Sequence, residues 1–202
     1  MPRYTLIGNP QSRTMRVAWM LEELGQDYSW NPALPQSEAV RLHNPAGKVP
    51  VLLVDGEVLL DSVAILHHLA DSHGALTAAP GSLARARQDA LTQFCVDEVE
   101  GALWTAAKNS FIHPAGLRVP EVKPVCRHEF ATAMETLAAR LGAGPWATGA
   151  EFTVPDILFG HCAAWAKLAR FELPGGPVGA YFARLAERPA YGRVLARSAA
   201  AA

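Results

Sequence analysis

NPAGKVPVLLVDGEVLLDS, residues 44–62, is the stretch whose reading decides the fold of this 202-residue chain. Val51 to Val54 and Glu57 to Leu60 are two short apolar runs separated by Asp55-Gly56, a pair that tolerates the positive φ angles of a tight hairpin turn. The spacing predicts two antiparallel strands. Pro50 removes a backbone N–H at the mouth of the first strand, so the preceding Val49 can offer its own backbone to something other than the sheet. Asp61-Ser62 then opens a helical pattern, where backbone N–H groups and side-chain oxygens gather.

Working toward the N-terminus, Tyr4 to Ile7 is β-prone and stopped by Gly8-Asn9-Pro10. From Ser12 the spacing of Val17, Met20, Leu21 and Leu24 is helical and is closed by Gly25. Tyr28 to Trp30 reads as a second strand, and Pro35 and Ser37 precede a short helical piece around Glu38 to Leu42. Beyond the hairpin, Asp61 to His73 carries Ile65, Leu66 and Leu69 at helical spacing and ends at Gly74. Residues 1–75 therefore read βαβαββα, and the small, Pro/Gly-bearing residues 76–82 read as a linker. From residue 83 to 202 the windows are helical, which predicts a separate all-helical domain. Five helices are expected: Leu83–Ile112, Val122–Leu141, one from Thr153 to about Phe171, then about Val178–Glu187 and Ala190–Arg197, the last two divided by Pro189. Thr153 suits an N-cap, Pro155 the first turn, and Asp156 can return a bond to the cap N–H.

Half of the residues are apolar, 18% are charged and the net charge is −1, so no bulk electrostatic pull toward nucleic acid or membrane is present. The expected partner is a small molecule or another protein. Cys95, Cys126 and Cys162 are an odd number, far apart and without CxxC spacing, which argues against a disulfide framework or zinc site and fits a reducing cytosol. MPRYTLIGNP lacks a long apolar run, and no uninterrupted apolar window approaches membrane-spanning length, so neither export signal nor membrane span is read.

PQSRTMRVAWMLEELG in the first loop and helix, NPAGKVPVL, the Asp61-Ser62 pair and the TVPD box together resemble the cytosolic glutathione S-transferases, over almost the whole chain. The resemblance implies a thioredoxin-like α/β domain followed by an all-α domain. It further implies that Pro50 is cis and turns the Val49 backbone toward the cysteinyl part of bound glutathione, pairing as a short antiparallel strand does. By position, Asp61 would receive the γ-glutamyl ammonium, Ser62 and its N–H the neighbouring carboxylate, and Lys48 the glycyl carboxylate or central carbonyl. Many relatives carry Gln at Lys48 and Glu or Gln at Asp61, so the shorter Asp61 alters the reach of that contact. Asp61 and Ser62 also suit an ordinary helix N-terminus, and Lys48 a solvated loop.

Chemistry in this family needs the glutathione thiolate. Ser12 lies where serine-type members place the hydroxyl that donates to the sulfur; it equally suits a helix cap before Arg13. Tyr4 and Thr14 are competing hydroxyls, and Arg13 or Arg16 would add positive potential, although Arg16 also suits an internal ion pair. With no cysteine before Cys95, mixed-disulfide chemistry is disfavoured. Asp97, Gly101, Trp104, Lys108 and Phe111 follow a 4-3-4-3 spacing, so Trp104, Lys108 and Phe111 are candidates for an electrophile pocket facing Ser12, with core or interface packing as the alternative. His67-His68 and His113 form no metal motif. The expected function is a cytoplasmic, homodimeric glutathione transferase of the detoxification type. It takes glutathione as co-substrate, uses no metal, and conjugates a small hydrophobic electrophile. The alternatives are a non-catalytic interaction protein of the same fold, or a glutathione-dependent isomerase or dehalogenase, the isomerase being disfavoured by the lack of a Ser-Ser-Cys run.

Overall fold

Residues 2–200 are described by a computed structural model. In the first half, β1 (Tyr4–Ile7), α1 (Thr14–Glu23), β2 (Tyr28–Asn31), α2 (Glu38–Arg41), β3 (Val51–Val54), β4 (Glu57–Leu60) and α3 (Ser62–His73) follow the expected βαβαββα order. The strands form one sheet in the order β2-β1-β3-β4, with β1 parallel to β2 and antiparallel to β3, and β3 antiparallel to β4. The β3–β4 hairpin closes with Val54 opposite Glu57, and both intervening residues have positive φ, 53° at Asp55 and 96° at Gly56. That pair of left-handed residues matches the right-handed twist of the flanking strands. Central strands are buried, with Leu6, Val51 and Leu52 at 0% exposure, whereas Glu57, Val58 and Leu60 on the β4 edge are open to solvent. Helices α1 and α3 pack together through Val17, Met20, Leu21, Ile65, Leu66 and Leu69, all fully buried.

The chain divides into two compact units. Residues up to Ala79 group with those from Ala186 onward, and Pro80–Leu185 form the second unit. The last helix, α9 (Pro189–Ala200), which the sequence reading grouped with the helical half, lies against α1 in the first unit. The Trp19 and Tyr191 rings meet with centroids 4.5 Å apart and planes tilted by 42°. Arg188 pairs with Glu23, Arg193 with Glu22 at 2.8 Å, and Arg197 donates to both Glu22 and the Tyr28 carbonyl. An acidic pair closing one helix thus meets Arg188, just before α9, and two arginines on α9 across about 165–175 residues.

In the second unit Leu83 to Ile112 is helical throughout: α4 (Leu83–Phe94), a π-helical turn (Cys95–Val99), α5 (Glu100–Ala107) and a second π-helical turn (Lys108–Ile112). Two short 3-10 turns lead to α6 (Lys123–Arg140), followed by α7 (Val154–Leu168) and α8 (Gly176–Ala186). Phe94, Leu103, Phe130, Leu137, Ile157, Leu158 and Phe159 form its core. The capping box of α7 forms as expected. Asp156, fully buried, accepts from the N–H groups of Thr153 and Ala147 and from the Tyr181 hydroxyl, each at 2.8 Å. Burial pushes the Asp156 carboxyl up, and these donors oppose that shift. No helix among the described residues is long and apolar enough to cross a membrane.

Candidate functional site

Gly8, at the end of β1, has a φ of 144°, and a Cβ placed there would sit 2.2 Å from Thr14 Oγ1 and 2.9 Å from Val49 Cβ. The missing side chain therefore lets the start of α1 and the loop before β3 converge on one point. The Gly8 backbone is held by β2, donating to the Asn31 carbonyl and accepting from the Trp30 indole, both at 2.9 Å. Four residues on, the half-buried Ser12 hydroxyl donates to the Asn9 carbonyl at 2.7 Å, lies 2.9 Å from Thr14 Oγ1 and accepts from the Thr14 N–H. Its single hydrogen serves one acceptor at a time, so it is free to turn toward another. Helix α1 begins at Thr14 with Arg13 in the cap position, and Ser12, one residue earlier, bonds the Thr14 N–H through its side chain as a helix-start residue does. Beside it, Asn9 Oδ1 is buried without a hydrogen-bond partner.

The Val49–Pro50 peptide is cis. The Val49 side chain packs on Ile7, Val40 and Val51, while no hydrogen bond among the described residues engages its backbone N–H or carbonyl. The neighbouring turn is rigid: the Asn44 amide spans it, donating to the Lys48 carbonyl at 2.9 Å. The Lys48 residue itself is exposed. At the far end of the hairpin, Asp61 is exposed, holds a φ of 69° and makes no cap bond through its carboxylate. Ser62, the first residue of α3, is 2% exposed. Its hydroxyl lies 3.4 Å from Nη1 of Arg16, a residue with 1% exposure. The first unit thus holds an unpaired strand-like backbone at Val49, a helix N-terminus with its orphan N–H groups, an uncommitted carboxylate and a rotatable hydroxyl. Those groups complement a short zwitterionic peptide.

Of the competing residues, Tyr4 is buried with its hydroxyl 2.9 Å from His73 Nε2 at the end of α3, and burial pushes its phenol up, away from ionisation. Thr14 is fully buried and touches Ser12. In the second unit, Trp104 is half-buried with its ring edge-on to Trp165 at 6.3 Å, Lys108 is partly buried, and Phe111 is 65% exposed. The regular one-face spacing from Asp97 to Phe111 is interrupted, because the turns at Cys95–Val99 and Lys108–Ile112 are π-helical and His113 N–H bonds back five residues to the Lys108 carbonyl at 2.9 Å. Wider turns shift the angular phase of every later side chain. Sequence reading weighed Arg16 as an ion-pair former and missed its contact with Ser62; the available signal was its position four residues before Met20, on the apolar face of α1. Among the described residues, no group of three or more His, Cys, Asp or Glu side chains is arranged to hold a metal ion.

Comparison with known proteins adds three findings. A family model described as the glutathione S-transferase N-terminal domain matches residues 6–78. The glutathione S-transferase GstA of Escherichia coli O157:H7 is 29% identical over 149 residues, covering 72% of this chain and 71% of that protein. A sphingomonad glutathione S-transferase complexed with glutathione superposes with a TM-score of 0.81 at 27% identity over 96% of this chain and 98% of that one, and the beta-class enzyme of Sphingomonas chungbukensis with 0.78 at 26% over 96% and 98%.

Proposed function

We propose that this chain, whose residues 6–78 match the glutathione S-transferase N-terminal domain, is a glutathione S-transferase that binds glutathione, holds its sulfur as the thiolate at Ser12, and transfers it to a small apolar electrophile. The observation that supports this reading is the approach to Gly8 of Thr14, whose Oγ1 lies 2.9 Å from the Ser12 hydroxyl, and of the Val49 side chain, within one unit that also holds Asp61 and Ser62 at the start of α3. Glutathione's cysteinyl residue pairs with Val49 N–H and carbonyl as an added strand, its γ-glutamyl ammonium meets Asp61, and its γ-glutamyl carboxylate meets Ser62 and the α3 N-terminus. Lys48 contributes charge toward the glycyl end. In this pose the sulfur sits by the Ser12 hydroxyl, which swings from the Asn9 carbonyl to donate to it.

A free thiol with a pKa near 8.5 is mostly protonated at neutral pH. One donated hydrogen bond and the positive end of α1 favour the thiolate. The proton leaves to solvent, the sulfur lone pair forms the new bond to carbon, and the electrophile either expels its leaving group or takes up the charge and then a proton. Ser12 donates throughout and is never itself ionised. The same reading includes a homodimer, checked by a solution mass near twice the 21.7 kDa of the chain.

Calorimetric titration with glutathione, paired with turnover of a chlorodinitrobenzene electrophile, tests the whole. Saturable binding of one glutathione per chain together with conjugation is expected. Binding without turnover would favour an interaction protein of the same fold, and absence of binding would refute the site.

A further inference from the structure

We propose that Arg16 is a positioning residue for glutathione, its guanidinium holding the Ser62 hydroxyl in the orientation that donates to the γ-glutamyl carboxylate. The proposal builds on the assignment of Ser62 to that carboxylate. Arg16 lies in the first turn of α1 and Ser62 at the first position of α3, two helices packed through fully buried aliphatic side chains. With 1% and 2% exposure respectively, neither side chain is oriented by bulk water. Their geometry is set by the protein.

The polarity of this contact has one solution. A guanidinium carries only donors, and a hydroxyl carries one hydrogen and two acceptor sites. At 3.4 Å from Arg16 Nη1, Ser62 Oγ accepts, and its own hydrogen is left for a different acceptor. A carboxylate is acceptor-only, so the chain guanidinium, hydroxyl, carboxylate runs in a single direction, and each bond polarises the next. Without Arg16, the Ser62 oxygen is free to accept from the orphan N–H groups of α3, which removes both the hydroxyl and an N–H from ligand recognition. The contact is at the long end of hydrogen-bond distances, as expected before a carboxylate pulls on the hydroxyl. Lysine does not reproduce this arrangement, because its ammonium lacks the planar fork that holds several acceptors at once.

The test compares glutathione with an analogue whose γ-glutamyl α-carboxylate is an amide, by calorimetry, in wild type, Ser62→Ala, Arg16→Lys and the double variant. Wild type is expected to prefer glutathione strongly. Ser62→Ala and Arg16→Lys should each weaken glutathione binding by about tenfold or more, the scale of a hydrogen bond to a charged group. In the Ser62→Ala background, Arg16→Lys should cost little further. The KM for glutathione should rise while kcat at saturating glutathione is retained, a split that general destabilisation would not produce. Equal losses from Arg16→Lys in both backgrounds, or equal losses for glutathione and its amide, would overturn the proposal while leaving the Ser62 assignment standing. Unchanged affinity in Ser62→Ala would overturn the assignment itself and this proposal with it. If the Arg16 variants fail to fold, guanidinium nitrogen resonances decide: the Arg16 signal should shift on adding glutathione to wild type and not on adding it to Ser62→Ala, and a signal indifferent to glutathione refutes the idea.

Discussion

Replacing Ser12 with alanine isolates the step that separates a glutathione-binding module from a transferase. In the ligand-free protein the Ser12 hydroxyl already donates to the Asn9 carbonyl at 2.7 Å, so what it offers the thiolate is the difference between two bonds. A hydrogen bond to a charged partner contributes about 1.5–3 kcal/mol and a neutral one about 0.5–1.5 kcal/mol. The difference, about 1–1.5 kcal/mol, corresponds to roughly one pKa unit of the bound thiol. Thr14 Oγ1, 2.9 Å from Ser12 Oγ, can take over part of the donation and sets this value as an upper bound. The sign is definite: Ser12 stabilises the deprotonated form, so its loss raises the thiol pKa and removes thiolate in the window below the new value. The assay is the ultraviolet absorbance of bound thiolate titrated against pH, alongside the pH profile of kcat/KM. At a pH below both pKa values the rate should drop by about tenfold, and above them the two proteins should converge. The same substitution deletes the bond from Thr14 N–H, with a stability cost of about 1 kcal/mol. Superimposable titration curves accompanied by that stability loss would refute the catalytic role and leave Ser12 as a turn residue.

Three further outcomes are expected. Asp61→Asn keeps a residue type that tolerates the positive φ of 69° and removes only the charge; glutathione affinity should fall by about tenfold with an unchanged melting temperature, since the carboxylate caps nothing. Gly8→Ala forces a Cβ into contact with Thr14 Oγ1 and the Val49 side chain at a φ of 144°, so calorimetry should show glutathione binding lost and urea melts a destabilisation of about 2 kcal/mol or more; a normally binding Gly8→Ala protein would deny the convergence at this point. Asp156→Ala leaves two backbone N–H groups and the Tyr181 hydroxyl buried without their acceptor, at about 1–3 kcal/mol each, which predicts a loss of at least about 3 kcal/mol in denaturant unfolding. A loss below about 1 kcal/mol would show that the α7 capping box does not anchor this unit.

The parts of this molecule that were legible beforehand are those made by neighbours in sequence. The Asp55-Gly56 hairpin follows from a turn pair flanked by two four-residue strands, and the α7 capping box from Thr153 and Asp156 three residues apart. The positions of Ser12, Val49, Asp61 and Ser62 were readable as a pattern. The long-range contacts around them were not. Val49 and Thr14 meet because Gly8 lacks a Cβ, and Ser62 meets Arg16 across 46 residues because α1 and α3 share an apolar seam. Tyr4 looked like a rival hydroxyl until its partner His73, 69 residues away, was in place.

By itself, then, the order of residues determined the βαβαββα unit and the helical half, because turns, caps and periodicity act over three to five residues and leave their marks locally. Tertiary structure decided the rest. It returned α9 to α1 through Arg188, Arg193 and Arg197, shifted the phase of the Leu83–Ile112 helix with two π-helical turns, and set a buried guanidinium against the Ser62 hydroxyl. These are contacts between segments far apart in the chain, and their partners are chosen by packing and desolvation, which no short window of sequence records.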